Sequence, residues 1–246
     1  MMILTDIIPS VEEAFTAGTL VMPTEVVPSV REGFVRWGDC ALNAWLIAIS
    51  AIVIVADIKG FYYIFGDLCK CLSRWRWNIT AENSMQFARE RDIFAMLCIL
   101  PLTVMLSRFD VFSAKFLGKL DGGWNTAAVF GILAGYLLFR LFNYGALRQK
   151  ARRVSGWQVA RAAGKNIFII FCLVAGCASG ALWILGVSDL TVRYAIIAIA
   201  AFFYLIVLFQ KNQILGSSCN PFTTFLYLCA LELLPTGLLI AANICL

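Results

Sequence analysis

The sequence contains no histidine, and only 14% of its 246 residues are charged. The absence of imidazole excludes Ser-His-Asp and Cys-His catalysis and histidine-based zinc sites. Soluble domains contain about 25% charged residues, so this chain has too few charged side chains to cover a soluble surface. The scarcity of charge therefore favours a protein whose surface contacts lipid.

Hydrophobic residues make up 61% of the chain, and the mean hydropathy is +0.83. Long apolar runs with this composition are typical of membrane-spanning helices. Most of the nine cysteines lie inside these runs, where cysteine behaves as a small hydrophobic residue. Their number and spacing do not describe a disulfide framework. We predict neither a metal site nor a cofactor.

Six apolar segments are separated by polar connections and turn-forming residues. They predict an all-α fold, a polytopic membrane helix bundle of about six transmembrane helices, with a transmembrane domain at 40–246. The second segment is short for a span and is interrupted by Pro101. The predicted spans are 41–60, 90–106, 124–142, 167–187, 192–209 and 222–246.

Two segments outside the predicted spans also show patterns that predict structure. Residues 1–39 contain three prolines and read as an N-terminal extracytoplasmic tail, with one short amphipathic helix around 8–15. In residues 109–120, phenylalanine and leucine recur at helical spacing while the two lysines lie off that stripe. This pattern predicts an amphipathic helix lying in the membrane interface.

The basic residues predict the orientation. With the N-terminus outside, 14 of the 20 Lys and Arg residues fall on the inner side, including Lys211 in a loop. By the positive-inside rule we expect both termini to be extracytoplasmic.

The inner loop 143–166 contains no acidic residue. We expect it to form a basic cytoplasmic patch that contacts anionic lipid headgroups, with an acidic cytoplasmic partner as the alternative. Nothing in the sequence resembles a nucleic-acid-binding module, so we predict no nucleic-acid partner. The basic residues of this patch are Arg148, Lys150, Arg152, Arg153, Arg161 and Lys165.

Glu232 lies near the middle of the last predicted span, three residues before Pro235. An ionised carboxylate at such a depth is costly, so we expect Glu232 to be protonated, paired or exposed to a wet cavity. Pro235 has no N–H, which leaves the carbonyl of Leu231 without its helical partner. Two roles stay open. In the first, the acid is a neutral carboxyl bonded to Asn, Ser, Thr or a backbone carbonyl of a neighbouring helix, and it locks helices together within this chain or to a partner. In the second, it serves as a site for translocating a proton or an ion.

Two consecutive spans each carry a Gly-x-x-x-Gly pattern, at Gly131 and Gly135 and at Gly176 and Gly180. Glycine at this spacing allows two helix backbones to approach closely. Because the two spans are antiparallel neighbours, we expect these glycines to pack helices within the bundle. Self-association or docking to another membrane protein is the alternative.

The last span also resembles a known family. The run FLYLCALELLP at 225–235 resembles the terminal signature of an uncharacterised bacterial multi-pass inner-membrane family, domain of unknown function 4271. The order of apolar segments, the basic loop after the third span and the pattern from Trp37 onward are similar to that family. The resemblance implies a bacterial inner-membrane protein and draws attention to Glu232, but it implies no reaction.

The sequence offers no set of catalytic residues, and the polar residues inside the spans are too few to line a hydrophilic pathway. We therefore predict that the protein is not an enzyme. We expect a structural or accessory subunit of a membrane or envelope protein complex, for example one of protein export, with other integral membrane or envelope proteins as partners. The alternative is a small proton- or ion-coupled transporter that uses Glu232.

Overall fold

The computed structural model describes residues 37–112, 122–148, 154–217 and 220–245. In these ranges the chain is helical and contains no strand, which confirms the predicted all-α class. A 3-10 turn at Trp37–Asp39 comes first, and a π-helical turn at Cys229–Leu233 separates the last two helices. The helices are α1 Ala41–Ala56, α2 Ile58–Ser73, α3 Trp75–Glu82, α4 Met85–Leu97, α5 Ile99–Arg108, α6 Gly122–Arg148, α7 Val154–Ile184, α8 Asp189–Gly216, α9 Pro221–Leu228 and α10 Leu234–Cys245.

Four helical segments are long and apolar enough to cross a membrane: Gly123–Asn143, Gly156–Ile184, Asp189–Gly216 and Thr224–Ala241. The pair α1 and α2 is a fifth candidate, although it bends by 70° between the two helices. These segments correspond to five of the six predicted spans.

The remaining predicted span, 90–106, forms two shorter helices instead of one long one. Helix α4 ends at Leu97 and α5 begins at Ile99, with the break at Cys98. Pro101 has no N–H to donate to the carbonyl four residues earlier, at Leu97, and this missing bond explains why the helix breaks there.

Helices α6, α7 and α8 extend beyond the predicted spans at the ends that contain basic residues. Helix α6 continues to Arg148 and α7 begins at Val154, so most of the predicted loop 143–166 is helical. Helix α8 likewise continues to Gly216 and contains Lys211, which was predicted to lie in a loop. Both loop predictions are wrong because hydropathy marks only the part of a helix that suits lipid, whereas arginine and lysine are good helix formers.

Two predictions concern segments outside the described residues. The amphipathic helix around 8–15 lies entirely in the first such segment. Residues 113–120 of the predicted interfacial helix lie in the second.

The bundle exposes large apolar side chains over much of its surface and buries polar side chains among apolar ones. Large apolar side chains such as Trp45, Phe142 and Ile184 are at least 70% exposed. Soluble proteins show the opposite distribution, whereas a protein in lipid must turn its polar groups inward. Thirteen polar or charged residues of the described ranges are buried, among them Asn43, Asn78, Arg91, Thr126, Asn166, Gln210, Lys211 and Glu232.

Four residues form a closed ring of hydrogen bonds at one end of the bundle, through their side chains and one backbone carbonyl. The indole of Trp37 donates to Ser107 at 2.9 Å, and Ser107 donates to Thr126 at 2.7 Å. Thr126 donates to the amide oxygen of Asn43 at 2.7 Å, and the amide nitrogen of Asn43 donates to the Trp37 carbonyl at 2.8 Å. This ring joins α1, α5 and α6, and we call this end of the molecule the ring end.

Replacing Thr126 with valine keeps the side-chain shape and removes the hydroxyl that links Ser107 to Asn43. We expect Thr126→Val to lower the free energy of unfolding by about 1–2 kcal/mol, because the buried partners lose a hydrogen bond. Equilibrium unfolding in detergent micelles measures this change. Thr80→Val, at an exposed position of α3, is the matched control and should leave stability unchanged. Equal stability of the two variants would contradict the role of the ring.

Candidate functional site

Glu232 lies in the π-helical turn between α9 and α10. In this turn the backbone N–H of Leu234 bonds to the carbonyl of Cys229, five residues earlier. Pro235 follows and is buried. It has no N–H to continue the α-helical pattern, and the wider turn accommodates this break. The side chain of Glu232 is only 3% exposed, so the turn presents a carboxylate to the interior of the bundle.

Two cations from other helices share the Glu232 carboxylate. Nη2 of Arg140, on α6, lies 2.7 Å from each carboxylate oxygen. Nζ of Lys211, on α8, donates a hydrogen bond to Oε1. The side chain of Lys211 is 3% exposed and that of Arg140 is 24% exposed. We call these three residues the clamp, because charge-assisted hydrogen bonds are strong and here they join three helical segments.

Gly164 brings a fourth helix, α7, into contact with the clamp. A Cβ atom at this position would lie 3.2 Å from Nζ and 3.3 Å from Cε of Lys211, and 3.8 Å from Nη2 of Arg140. Any larger residue at 164 would therefore press on the lysine that reaches Glu232. The absence of a side chain here provides the space in which the clamp forms.

The backbone beside the clamp is held by a second contact between α8 and α10. The hydroxyl of Thr236 donates to the carbonyl of Glu232 at 2.6 Å. Because its one proton is used there, Thr236 accepts from the hydroxyl of Tyr204, at 2.7 Å. The main chain of Glu232 is therefore fixed as well as its carboxylate.

A small cavity borders the Lys211–Glu232 pair. Its volume of about 10 Å³ accommodates about one water molecule. The rings of Trp157 and Tyr227 lie 5.1 Å apart at its wall. A water in this cavity can reach the clamp, but an organic substrate does not fit. The lining residues are Trp157, Ala160, Lys211, Leu215, Tyr227, Leu228, Leu231 and Glu232.

The residue after Gly164 takes part in a second ionic group. Nζ of Lys165 lies 2.7 Å from Asp92 on α4. Asp92 also accepts from Nε of Arg91 at 2.9 Å, and Arg91 pairs with Glu82 at 2.5 Å. The side chain of Arg91 is only 4% exposed, so this group places a second buried cation among α3, α4 and α7.

The next residue, Asn166, takes part in a buried amide group. Its amide nitrogen donates to Asn78 at 2.8 Å. Gln210, which precedes Lys211 in α8, donates to the carbonyls of Cys71 at 3.1 Å and Leu72 at 2.9 Å. These amides therefore cap the end of α2. One turn of α7, residues 164–166, thus contacts the clamp, the second ionic group and this amide group.

The predicted basic patch is only partly described. Lys150, Arg152 and Arg153 lie outside the described residues, and Arg148 is the last residue of α6. Arg161 is exposed on α7. Lys165 does not belong to an open patch, because its ammonium group is paired with Asp92. Sequence reasoning could not find this pair, since the partners lie 73 positions apart.

The predicted glycine contacts within the bundle are not found in the described part of the chain. A Cβ atom built on Gly131, Gly135, Gly176 or Gly180 meets no described atom within 4 Å. The first three of these glycines are exposed. The expectation of internal packing is therefore corrected, and contact with a second copy or another membrane protein stays a prediction.

The partners of Glu232 are the functional residues that sequence reasoning missed. Lys211 was assigned to a loop, and Arg140 lies near the end of the predicted span 124–142. The sequence does contain a signal for both, since each is a basic residue in or beside a predicted apolar span. Such a cation needs a buried anion, and Glu232 was the acid predicted at depth.

The chemistry of the clamp follows from its charges. The Glu232 carboxylate accepts hydrogen bonds from two cations on other helices, and these bonds tie the helices together. Among the described residues, no group of three or more Cys, Asp or Glu side chains has the arrangement of a metal site. The geometry is therefore that of an ionic lock, with access for about one water.

Comparisons with known proteins provide no further identification. No family model, curated protein or solved structure matches the chain. The resemblance of residues 225–235 to domain of unknown function 4271 therefore stays a prediction.

Replacing Glu232 with glutamine removes the only charge that Arg140 and Lys211 share in the clamp. We expect Glu232→Gln to lower the free energy of unfolding by about 3–5 kcal/mol, because the buried Lys211 and the partly buried Arg140 lose the carboxylate that they share. Equilibrium unfolding in mixed detergent micelles measures the loss. Adding Lys211→Met to this variant should recover part of the stability, because the buried cation that no longer faces a carboxylate is removed.

The matched control is Asp67→Asn, which breaks the exposed pair with Lys70 at 2.9 Å. Exposed pairs contribute at most about 1 kcal/mol, so this variant should unfold almost as the unchanged protein does. Wild-type stability in Glu232→Gln would show that the clamp does not hold the bundle.

A methyl group at position 164 should disturb the clamp from the side of α7. We expect Gly164→Ala to lower the free energy of unfolding by about 1–3 kcal/mol, since Lys211 must move to avoid the new Cβ atom. Gly135→Ala is the matched control, because a Cβ atom there meets no described atom within 4 Å. If both variants keep full stability, Gly164 is not needed for the clamp to form.

Proposed function

We propose that this protein is a non-catalytic integral protein of the bacterial inner membrane that acts as an accessory subunit of a membrane or envelope protein complex, for example one of protein export. The observation that supports the proposal most directly is that the Glu232 carboxylate already has two cationic partners in the clamp. Glu232 is bound by Arg140 and Lys211 and borders a cavity that accommodates about one water. Such a site supports a structural role better than a reaction or a transport pathway.

The exposed glycines of α6 favour a partner in the membrane. Gly131 and Gly135 lie one turn apart on an outward face, and no described atom occupies the space above them. Helix association within lipid depends on close packing, because the lipid tails are as apolar as the helix surfaces. A partner helix can approach the α6 backbone closely at this face.

We also propose six membrane crossings, counting α1 with α2 as one broken span. Asn43, near the start of α1, belongs to the hydrogen-bonded ring. Cys71, near the end of α2, accepts from Gln210, which lies beside the clamp residue Lys211. The pair therefore runs from the ring end to the end that carries the clamp, which we call the clamp end. Because the α1–α2 pair connects the two ends of the bundle, its path supports a membrane crossing and not a re-entrant loop.

The pair α4 and α5 runs between the same two ends in the opposite direction. Asp92, in α4, contacts Lys165 beside the clamp contact of α7. Ser107, near the end of α5, bonds to Thr126 in the ring. These contacts support counting the two short helices as the remaining crossing.

The proposed orientation places the clamp end towards the cytoplasm and both termini outside. Lys211 lies about 33 Å along α8 from Asp189, at 1.5 Å per residue. The hydrocarbon core is about 30 Å thick. If Asp189 lies at the outer surface, the part of α8 that carries Lys211 lies near the inner surface, whereas Glu232 is near the middle of the candidate span Thr224–Ala241. A charged group is less costly near the inner surface.

A small proton- or ion-coupled transporter is the second candidate. The observation in its favour is the cavity that reaches Lys211 and Glu232. A transport cycle at this site would require the Glu232 carboxylate to break its hydrogen bonds to both Arg140 and Lys211. Proton or cation flux in proteoliposomes that disappears in Glu232→Gln, while the variant remains folded, would favour transport over the accessory role.

The accessory role is tested by a bulky residue on the open face of α6. We expect the unchanged protein, purified in mild detergent, to carry a stoichiometric membrane or envelope protein. Gly131→Leu and Gly135→Leu should lose that partner at unchanged stability, because the new side chain holds the helices apart. Mass spectrometry of the purified complex measures the ratio.

Gly237→Leu is the matched control. Gly237 is also exposed on a helix, and a Cβ atom there meets no described atom within 4 Å. It should retain the partner. A chain purified without any stoichiometric partner would contradict the accessory role. A second copy as the only partner would replace it with a homo-oligomer.

A further inference from the structure

The short helix α3 has one side fixed in the protein interior. Asn78 is 1% exposed and bonds to Gln210 at 3.3 Å and to Asn166 at 2.8 Å. The acid of this helix, Glu82, is paired with Arg91 at 2.5 Å. These contacts fix which residues of α3 face inward and neutralise its one carboxylate.

The opposite side of α3 combines cationic and apolar groups. Arg74, just before the helix, and Arg76 are exposed. Trp77 and Ile79 are 40% and 43% exposed. Among the described residues, neither arginine forms an ion pair. Exposed arginine beside exposed tryptophan and isoleucine is typical of a helix that lies in the membrane interface.

Two contacts between basic side chains and tryptophan rings hold the side chains of this face in position. Nζ of Lys70, at the end of α2, lies 5.5 Å from the ring centre of Trp77. The guanidinium carbon of Arg76 lies 5.5 Å from the ring centre of Trp75. Tryptophan prefers the level of the lipid headgroups, and the cations beside its ring are therefore held at the same level.

We propose that this face, formed by Arg74, Arg76 and Trp77, binds the phosphate groups of anionic phospholipids. The face lies at the clamp end, because Asn78 on the other side of α3 bonds to Gln210. Charge complementarity identifies the ligand. Two arginines without an acidic partner attract anionic headgroups, and the tryptophan and isoleucine enter the adjoining acyl region. The inference concerns a different surface from the open face of α6 and does not depend on it.

Lipid binding by the full chain in detergent tests the proposal. Native mass spectrometry counts the phosphatidylglycerol and phosphatidylcholine molecules retained at equal lipid concentration. The unchanged protein should retain phosphatidylglycerol in preference. Arg74→Gln with Arg76→Gln should weaken phosphatidylglycerol binding by about 30-fold, as expected for the loss of two cations at an anionic surface.

Two further variants make the result specific. Arg74→Lys with Arg76→Lys should bind phosphatidylglycerol almost as the unchanged protein does, because the charge is kept. Arg108→Gln should also bind normally, since Arg108 lies at the ring end although it too contacts aromatic rings, at 5.8 Å and 5.6 Å.

Three results would overturn the proposal. The first is equal retention of the two lipids by the unchanged protein. The second is undiminished phosphatidylglycerol binding by the double glutamine variant. The third is displacement of the lipid by an acidic peptide at much lower concentration, which would assign the face to an acidic protein.

Discussion

A buried carboxylate in an apolar bundle needs cations, and the arrangement of the last five helices depends on that requirement. Glu232 obtains them from Arg140 and Lys211, which come from two other helices. Each of the three charges would be costly if it were left alone away from water. Only a few arrangements of α6, α8 and the α9–α10 segment bring these three charges together. The clamp therefore contributes specificity to a bundle whose apolar surfaces would pack in many ways.

Helix α7 connects the clamp to the first half of the chain. Gly164 leaves space for Lys211, Lys165 pairs with Asp92, and Asn166 bonds to Asn78. Three consecutive residues on a helix point in three directions, since each advances by about 100° around the axis. A single turn of α7 can therefore contact three polar groups. A displacement of this turn would disturb the ionic and the amide contacts together.

Much of the helical content could be predicted from hydropathy, and the ends of the helices could not. The apolar runs identified four long helical segments, and the bent pair α1–α2 follows a fifth run. The basic residues at the ends of α6, α7 and α8 were assigned to loops, yet they continue the helices. Hydropathy reports where a segment suits lipid. A helix ends where its backbone hydrogen bonds end, and arginine and lysine do not interrupt them.

The sequence alone determined the all-α class, the outward apolar surface and the unusual position of Glu232 beside Pro235, because these depend on composition and local backbone chemistry. Only the tertiary structure decided that Glu232 is bound by Arg140 and Lys211, and that the glycine patterns do not pack inside the described bundle. The partners of Glu232 lie 92 and 21 positions away along the chain. Such pairings depend on how helices rotate and approach one another, which residue periodicity does not specify.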